Sequence, residues 1–311
     1  MHLSTLTRLQ GANRALITGS VAPAGYTLDF VDEPVLVKGF RKMVRNLEYD
    51  VAEMALTTYL TAKEHGAPFT ALPIFLVRDF HHGAVQIRKA DSGMTAPDLA
   101  GKRVGVNRGY TVTTGVWARA ALAEAGLDLT SVTWVRSGDE HVATYVPPAN
   151  VVQAPEGRTL EELLLAGELD AVIGASIDHP DVVPLFADPL RAGLDVLRDT
   201  GVFPINHLVV VKDSLVAERP DLPRAIFDAF TEAKRRYVDE LRAHSDGAKK
   251  GQDRTLTAVM ELTGSDPLPY GVEGSRVTLE KLIDNAMTQG ILTERPAFES
   301  IFVPSTLGMR G

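Results

Sequence analysis

The chain has 311 residues, 45% of them hydrophobic, no cysteine and a formal net charge of −8. This length allows two domains with cores of their own. The missing cysteines exclude disulfides, thiolate metal sites and cysteine nucleophiles. An acidic balance without any basic block argues against nucleic acid as a partner. No apolar run reaches the roughly eighteen residues that a membrane span requires. The start "MHLSTLTRLQ" lacks the charged and apolar blocks of a secretory signal, so a cytoplasmic location is expected.

In chain order, short β-rich runs alternate with amphipathic stretches, the pattern of an α/β chain with mostly parallel sheets. Strands are expected at "YTLDFV", "YDVAEMA", "FTALPIFL", "AVQIRK", "RVGVN", "VTWVRS", "DAVIGA" and "HLVVVK". Helices are expected at "PVLVKGFRKMVRN", "LTTYLTAKEHG", "TGVWARAALAEAGLD" and "TLEELLLAGEL", then at "RPDLPRAIFDAFTEAKRRYVDELRAHS" and "SRVTLEKLIDNAMTQGIL". The segment from "DLAGKRVGVN" to "DVLRDT" reads as a β-α-β-α-β unit inserted into a larger domain. The expected division is residues 1–98 and 205–311 for lobe 1 and 99–204 for lobe 2. "AVQIRK" and "HLVVVK" would serve as the two crossovers, with a ligand cleft between the lobes.

A dense group of titratable side chains, "VRDFHHG" at residues 77–83, lies between two strand-like runs. Neighbouring histidines on an extended chain point to opposite sides, so His81 and His82 do not easily ligate one metal. The same alternation places Arg78 and His82 on one face. Arg78 ends an apolar strand, where its planar fork suits a carboxylate ligand or a structural pair with Asp79 or Glu53. "NRGYTVTTGVW" ends a strand and starts a helix, which makes Thr111, Thr113 and Thr114 candidates for an anion grip, one of them also serving as helix cap. Trp117, one turn in, either covers an aromatic ligand or packs in lobe 2. Asp50 and Glu53 in "YDVAEMA" are loop carboxylates, caps or, for Glu53, a proton carrier. His207 either touches a ligand hydroxyl or holds a backbone group. Asp139, Glu140 and His141 fall on an expected loop, as functional groups or solvated charge. Catalytic serine, P-loop and dinucleotide motifs are missing, so cofactor-free chemistry is expected.

The succession "YDVAEMALTTYL", "FTALPIFLVRDFHHG", "DLAGKRVGVNRGYTVTTGVWARAALAEAGLD", "AGELDAVIGA" and "TGVFPINHLVVVKD" resembles the 4,5-dihydroxyphthalate decarboxylase-like family, with a two-lobed type II periplasmic-binding-protein fold. The resemblance covers roughly residues 25–240. It is most particular at the Asp50 and Glu53 pair of "DVAEMA", at the R-x-F-x-H of Arg78, Phe80 and His82, at Thr113 to Trp117, and at "TGVFPINH", which contains Asn206 and His207. It implies removal of CO2 from a small hydroxylated aromatic acid, with His82 facing the cleft. His82, Glu53 and His207 are then the candidates for proton donor and acceptor, in an order left open. Arg78, Phe80, Thr111, Thr113, Thr114, Trp117 and Asn206 would hold the substrate. Neither a cofactor nor a metal is expected, and a homo-oligomer is compatible with the sequence. The rival reading is a non-catalytic solute-binding protein for a small aromatic or organic acid.

Overall fold

The computed structural model describes residues 1–243 and 251–311. It divides into two compact units. Unit 1 comprises Met1–Asp79, Ile205–Leu279 and Glu294–Gly311; unit 2 comprises Phe80–Pro204 and Glu280–Thr293.

Unit 1 begins with β1 (His2–Leu6), a short helix α1 (Arg14–Ile17), β2 (Thr27–Phe30), α2 (Leu36–Asn46), β3 (Val51–Ala55), α3 (Leu56–Glu64) and β4 (Phe69–Arg78). Unit 2 follows with β5 (Val85–Arg88), β6 (Arg103–Val106), α4 (Thr113–Glu124), β7 (Thr133–Arg136), β8 (Val151–Gln153), α5 (Leu160–Leu165), β9 (Ala171–Ile173), β10 (Val182–Pro184) and α6 (Pro189–Thr200). The chain returns to unit 1 through β11 (Ile205–Lys212), α7 (Asp213–Glu218), α8 (Leu222–Ala243) and α9 (Gly251–Thr263), and α10 (Arg276–Thr288) runs from unit 1 into unit 2. The last two residues of the expected "RPDLPRA…AHS" helix, His244 and Ser245, lie outside the described residues.

The sheet of unit 1 has the order β2-β1-β3-β11-β4. β1 pairs in parallel with β2 and β3, and β11 runs antiparallel to β3 and β4. β4 is an almost continuous apolar run because both of its faces are covered. Pro73 inside it is tolerated because β4 ends the sheet, where a missing N–H breaks no ladder. The outer side of β4 is nevertheless used: Pro73 O accepts from Gly271 N, and Ala71 O from Val303 N. The sheet of unit 2 has the order β10-β5-β9-β6-β7-β8, with β6, β7, β8 and β9 parallel and β5 antiparallel to β9 and β10. Each sheet is thus a parallel group joined by one antiparallel strand that follows a passage between units, the double crossover expected from sequence. "AVQIRK" lies within unit 2, as do residues 280–293. Pairing explains the first placement, since β5 takes its partners from β9 and β10.

The strand "HLSTL", the short strands β8 and β10, and helices α1, α6, α7 and α9 have no counterpart in the sequence reading. β1 is five residues long with three polar members, too short for alternation to stand out. Among the described residues, no helix is long and apolar enough to cross a membrane.

Local packing is tight where unit 2 begins. A Cβ at Gly193 on α6 would lie 2.1 Å from Cγ of Phe80, whose ring also meets that of Phe203 at 4.9 Å. Gly193→Ala is therefore expected to cost about 1–3 kcal/mol by overpacking. A thermal melt checks this, and an unchanged midpoint would show that Phe80 is not seated against α6.

Candidate active site

β1 and β3 run parallel and end at the same edge of the unit 1 sheet, where the antiparallel β11 begins. Glu53 of β3 stands opposite Val209, and His207 opposite Ala55. Side chains two apart share a face, so Glu53 and His207 are diagonal neighbours within reach of each other. Their contact is a 2.6 Å hydrogen bond from Nδ1 of His207 to Oε1 of Glu53. The same oxygen accepts from Gln10 Nε2 at 3.1 Å. Oε2 accepts from Thr7 Oγ1 at 2.7 Å and from Arg8 N at 3.2 Å. Asn13, fully buried, fastens the loop that supplies these donors: its Nδ2 donates to Thr7 Oγ1 and Arg8 O, and its Oδ1 accepts from Gln10 N.

Glu53 is 1% exposed, and burial by itself would raise its pKa. The hydrogen bond and charge of His207, the Thr7 hydroxyl and the nearby Arg8 outweigh that and hold the carboxyl below the usual range. An ionised carboxylate only accepts, so Nδ1 of His207 carries a proton and Nε2 is the nitrogen left to exchange one. The Glu53 side chain is 0% exposed against 16% for His207. The imidazole, rather than the carboxylate expected to carry a proton, is therefore what a bound molecule can reach. The edge-on ring of Phe40, 5.2 Å away between centroids, limits its rotation. Asn206 sits at the register shift between Ile205 and His207, with Oδ1 buried and without a hydrogen bond from any described residue.

Arg78, expected as a carboxylate anchor, is 2% exposed. Its guanidinium donates to Ser275 Oγ at 2.5 Å and Pro269 O at 3.1 Å, and lies 5.5 Å from the centroid of the Phe75 ring. Burial pushes its pKa down to about 10, against the pull of Asp266 and Tyr270. β4 stops at Arg78, and His82 opens a 3-10 turn, His82–Ala84. Strand alternation therefore does not extend across "VRDFHHG", and Arg78 and His82 belong to different units.

His81 and His82 do not diverge as expected. Both are buried, and with Phe80, Trp117 and Glu124 they line one cavity of about 30 Å³ in unit 2. That volume admits about one water and no aromatic acid. His82 meets Phe186 edge-on at 5.0 Å, and burial lowers its pKa despite Glu124. Trp117 is 4% exposed, as expected of a packing residue on α4.

The turn before α4 is an anion grip in geometry, but it holds a carboxylate of the chain itself. Glu140 accepts from Tyr110 N at 2.6 Å, Thr111 N at 3.1 Å and Thr111 Oγ1 at 2.8 Å. Gly109 makes room for it, since a Cβ there would lie 2.4 Å from Glu140 Oε2. Thr111 is thus committed to Glu140, and no threonine caps α4: its N-cap is Val112, without a side-chain cap bond, and Thr113 and Thr114 form the first turn. Behind this turn Arg119, fully buried, donates to Tyr110 O at 2.8 Å and Gln289 Oε1 at 2.7 Å. Beside it, where β6, β7 and β9 end, a polar cavity of about 400 Å³ is lined by Asn107, Ser137, Arg158, Thr159, Ser176 and Asp178. Arg108 and Ser176 at this edge adopt left-handed backbone, with φ of 70° and 52°. Sequence reading did not single out Thr7, Arg8, Gln10, Asn13 or Arg119. For the first four the readable signal is a run of hydrogen-bonding residues directly after a short strand. Among the described residues, no group of three or more histidine, aspartate or glutamate side chains could hold a metal ion.

No family model matches the chain. It is 32% identical over 318 residues to a 4,5-dihydroxyphthalate decarboxylase of Comamonas testosteroni, covering 94% of both chains. It is 37% identical over 201 residues to one of Pseudomonas putida, covering 60% of this chain and 77% of the relative. Among solved structures, the periplasmic aliphatic sulphonate binding protein SsuA of Escherichia coli aligns with a TM-score of 0.55 at 13% identity, covering 99% of each chain. A mutant of DszB, in complex with biphenyl-2-sulfinic acid, aligns with a TM-score of 0.54 at 16% identity, covering 98% of this chain and 97% of that one. These two likenesses establish the fold.

Two measurements probe the buried carboxylates. Glu140→Ala strands three buried donors and is expected to destabilise unit 2 by about 2–4 kcal/mol; an unchanged melt would show that water replaces the carboxylate at no cost. Glu53 has a depressed folded-state pKa, so its contribution to stability is full above the unfolded value of about 4.3 and is lost as pH falls through the lower folded value. The stability of Glu53→Gln should therefore depend less on pH below about 4.3 than that of the wild type. Parallel acid-denaturation curves would contradict an ionised Glu53.

Proposed function

The chain belongs to the 4,5-dihydroxyphthalate decarboxylase family, and on that premise we propose that it removes CO2 from a hydroxylated aromatic acid of the 4,5-dihydroxyphthalate type, with His207 as the acid/base residue. The observation that carries this reading is the 2.6 Å bond from a partly exposed imidazole to a sealed, ionised carboxylate.

Direct loss of CO2 from a benzoate leaves an electron pair in the ring plane, where the π system cannot delocalise it. A hydroxyl para to the carboxyl-bearing carbon offers another route. Nε2 of His207 takes the phenol proton, and the oxyanion pushes electron density onto the para carbon. That carbon takes a proton from solvent, the one the net reaction consumes, and the ring becomes a cyclohexadienone. The C–CO2 bond then breaks, its electron pair restores the aromatic ring, and the proton held on His207 returns to the phenolate. The net reaction consumes one proton for each CO2 released. Glu53 acts through His207: it fixes the tautomer that leaves Nε2 basic and stabilises the imidazolium formed during turnover. His82, neutral and enclosed beside a one-water cavity, is given no proton-transfer role. The scheme requires a base and a proton, and it involves no cofactor.

Purified protein incubated with 4,5-dihydroxyphthalate should release CO2 and form 3,4-dihydroxybenzoate. His207→Asn should lower kcat by roughly 100-fold or more, the size expected when a general acid/base is removed. Tight binding without CO2 release would favour a solute-binding protein instead. Full activity in the His207→Asn protein would remove His207 from the chemistry.

A further inference from the structure

The loop after β1 places a cation beside the Glu53–His207 pair. Arg8 has its backbone held on both sides: its N–H donates to Glu53 Oε2 at 3.2 Å, and its carbonyl accepts from Asn13 Nδ2 at 2.9 Å and Thr7 Oγ1 at 3.3 Å. Several cations of unit 1 are paired with carboxylates. Arg14 pairs with Glu240, Lys212 with Asp50 and Lys63 with Asp213. Arg8 is exposed, and its guanidinium forms no hydrogen bond or ion pair with any described residue. Its charge nonetheless contributes to holding Glu53 ionised.

A chain of net charge −8 repels an aromatic dianion at long range, so binding one requires a local cation. A solvated arginine on an anchored backbone meets that need at small cost, since its fork is ready for two parallel bonds to a carboxylate. We propose that Arg8 binds the carboxylate that the substrate retains and so selects dicarboxylates over monocarboxylates; this rests on the decarboxylase reading above. The alternative pairing, with the carboxylate that leaves, works against catalysis. That group loses its charge as CO2 forms, so an ion pair with it stabilises the bound substrate more than the transition state and raises the barrier. The retained carboxylate keeps its charge throughout, so pairing with it strengthens binding and leaves the barrier unchanged.

The test uses the full chain and Arg8→Gln, with kinetics on 4,5-dihydroxyphthalate and calorimetric binding of phthalate and benzoate as unreactive probes. Loss of one charged hydrogen-bonding group should raise KM by roughly 10- to 100-fold. Turnover should change by no more than a few-fold, and the preference for phthalate over benzoate should disappear. Arg8→Lys should restore part of that preference. An exposed side chain predicts an unchanged melting temperature, which separates lost binding from lost folding. Unaltered KM and unaltered phthalate preference in Arg8→Gln would overturn the assignment, as would a fall in kcat at constant KM. The two readings fail separately: absence of CO2 release by the wild type defeats the decarboxylase reading, while loss of phthalate preference in Arg8→Gln would still support Arg8 as a carboxylate site.

Discussion

A buried anion has to be compensated where it sits, and in unit 1 that requirement falls on Glu53 of β3. Removing a carboxylate from water is costly unless each oxygen finds donors. Here the donors come from the loop after β1 and from β11, segments about 45 and 154 residues away in sequence. Asp50, at the start of the same region, repeats the arrangement: it accepts from Ser4 N on β1 and pairs with Lys212 at the end of β11. Carboxylates just before β3 and at its middle therefore fasten it to β1 and the loop after β1 on one side and to β11 on the other. The position of His207 and the path of the loop that bears Arg8 both follow from satisfying Glu53.

Unit 2 contains a second solution to the same problem. Glu140 is compensated by two backbone N–H groups and one hydroxyl of the turn 109–111, with Gly109 allowing the approach. Arg119 and Gln289 then hold the carbonyl side of that turn. Backbone N–H groups before a helix attract anions whatever their source. In this chain the source is internal, which rigidifies the turn and removes its donors from ligand recognition.

The fold is shared with a sulphonate-binding protein and with DszB, so architecture does not separate binding from chemistry. The distinction rests on side chains. Under the proposed mechanism the sealed carboxylate behind a partly exposed imidazole moves a proton, whereas the His82 imidazole is buried against Phe186 beside Phe80 and Trp117. His207 and His82 are the same residue type with opposite exposure and partners.

The sequence by itself determined the α/β class, the double crossover and most strands, because hydrophobic periodicity and strand-to-helix punctuation are local properties. It also brought out Glu53 and His207 as separate candidates. Their partnership was decided by the tertiary structure, since the antiparallel register of β11 on β3 sets which side chains become diagonal neighbours, and register is a property of two distant segments. The same holds for Arg78, whose covering by Pro269 and Ser275 comes from residues nearly 200 positions later. The turn at Thr111 was legible as an anion grip from its residue types. Its occupant was not, because only the folded loop 137–141 brings Glu140 onto those donors. For His81 and His82 the local rule itself stopped applying: alternation belongs to a strand, and the strand ends at Arg78.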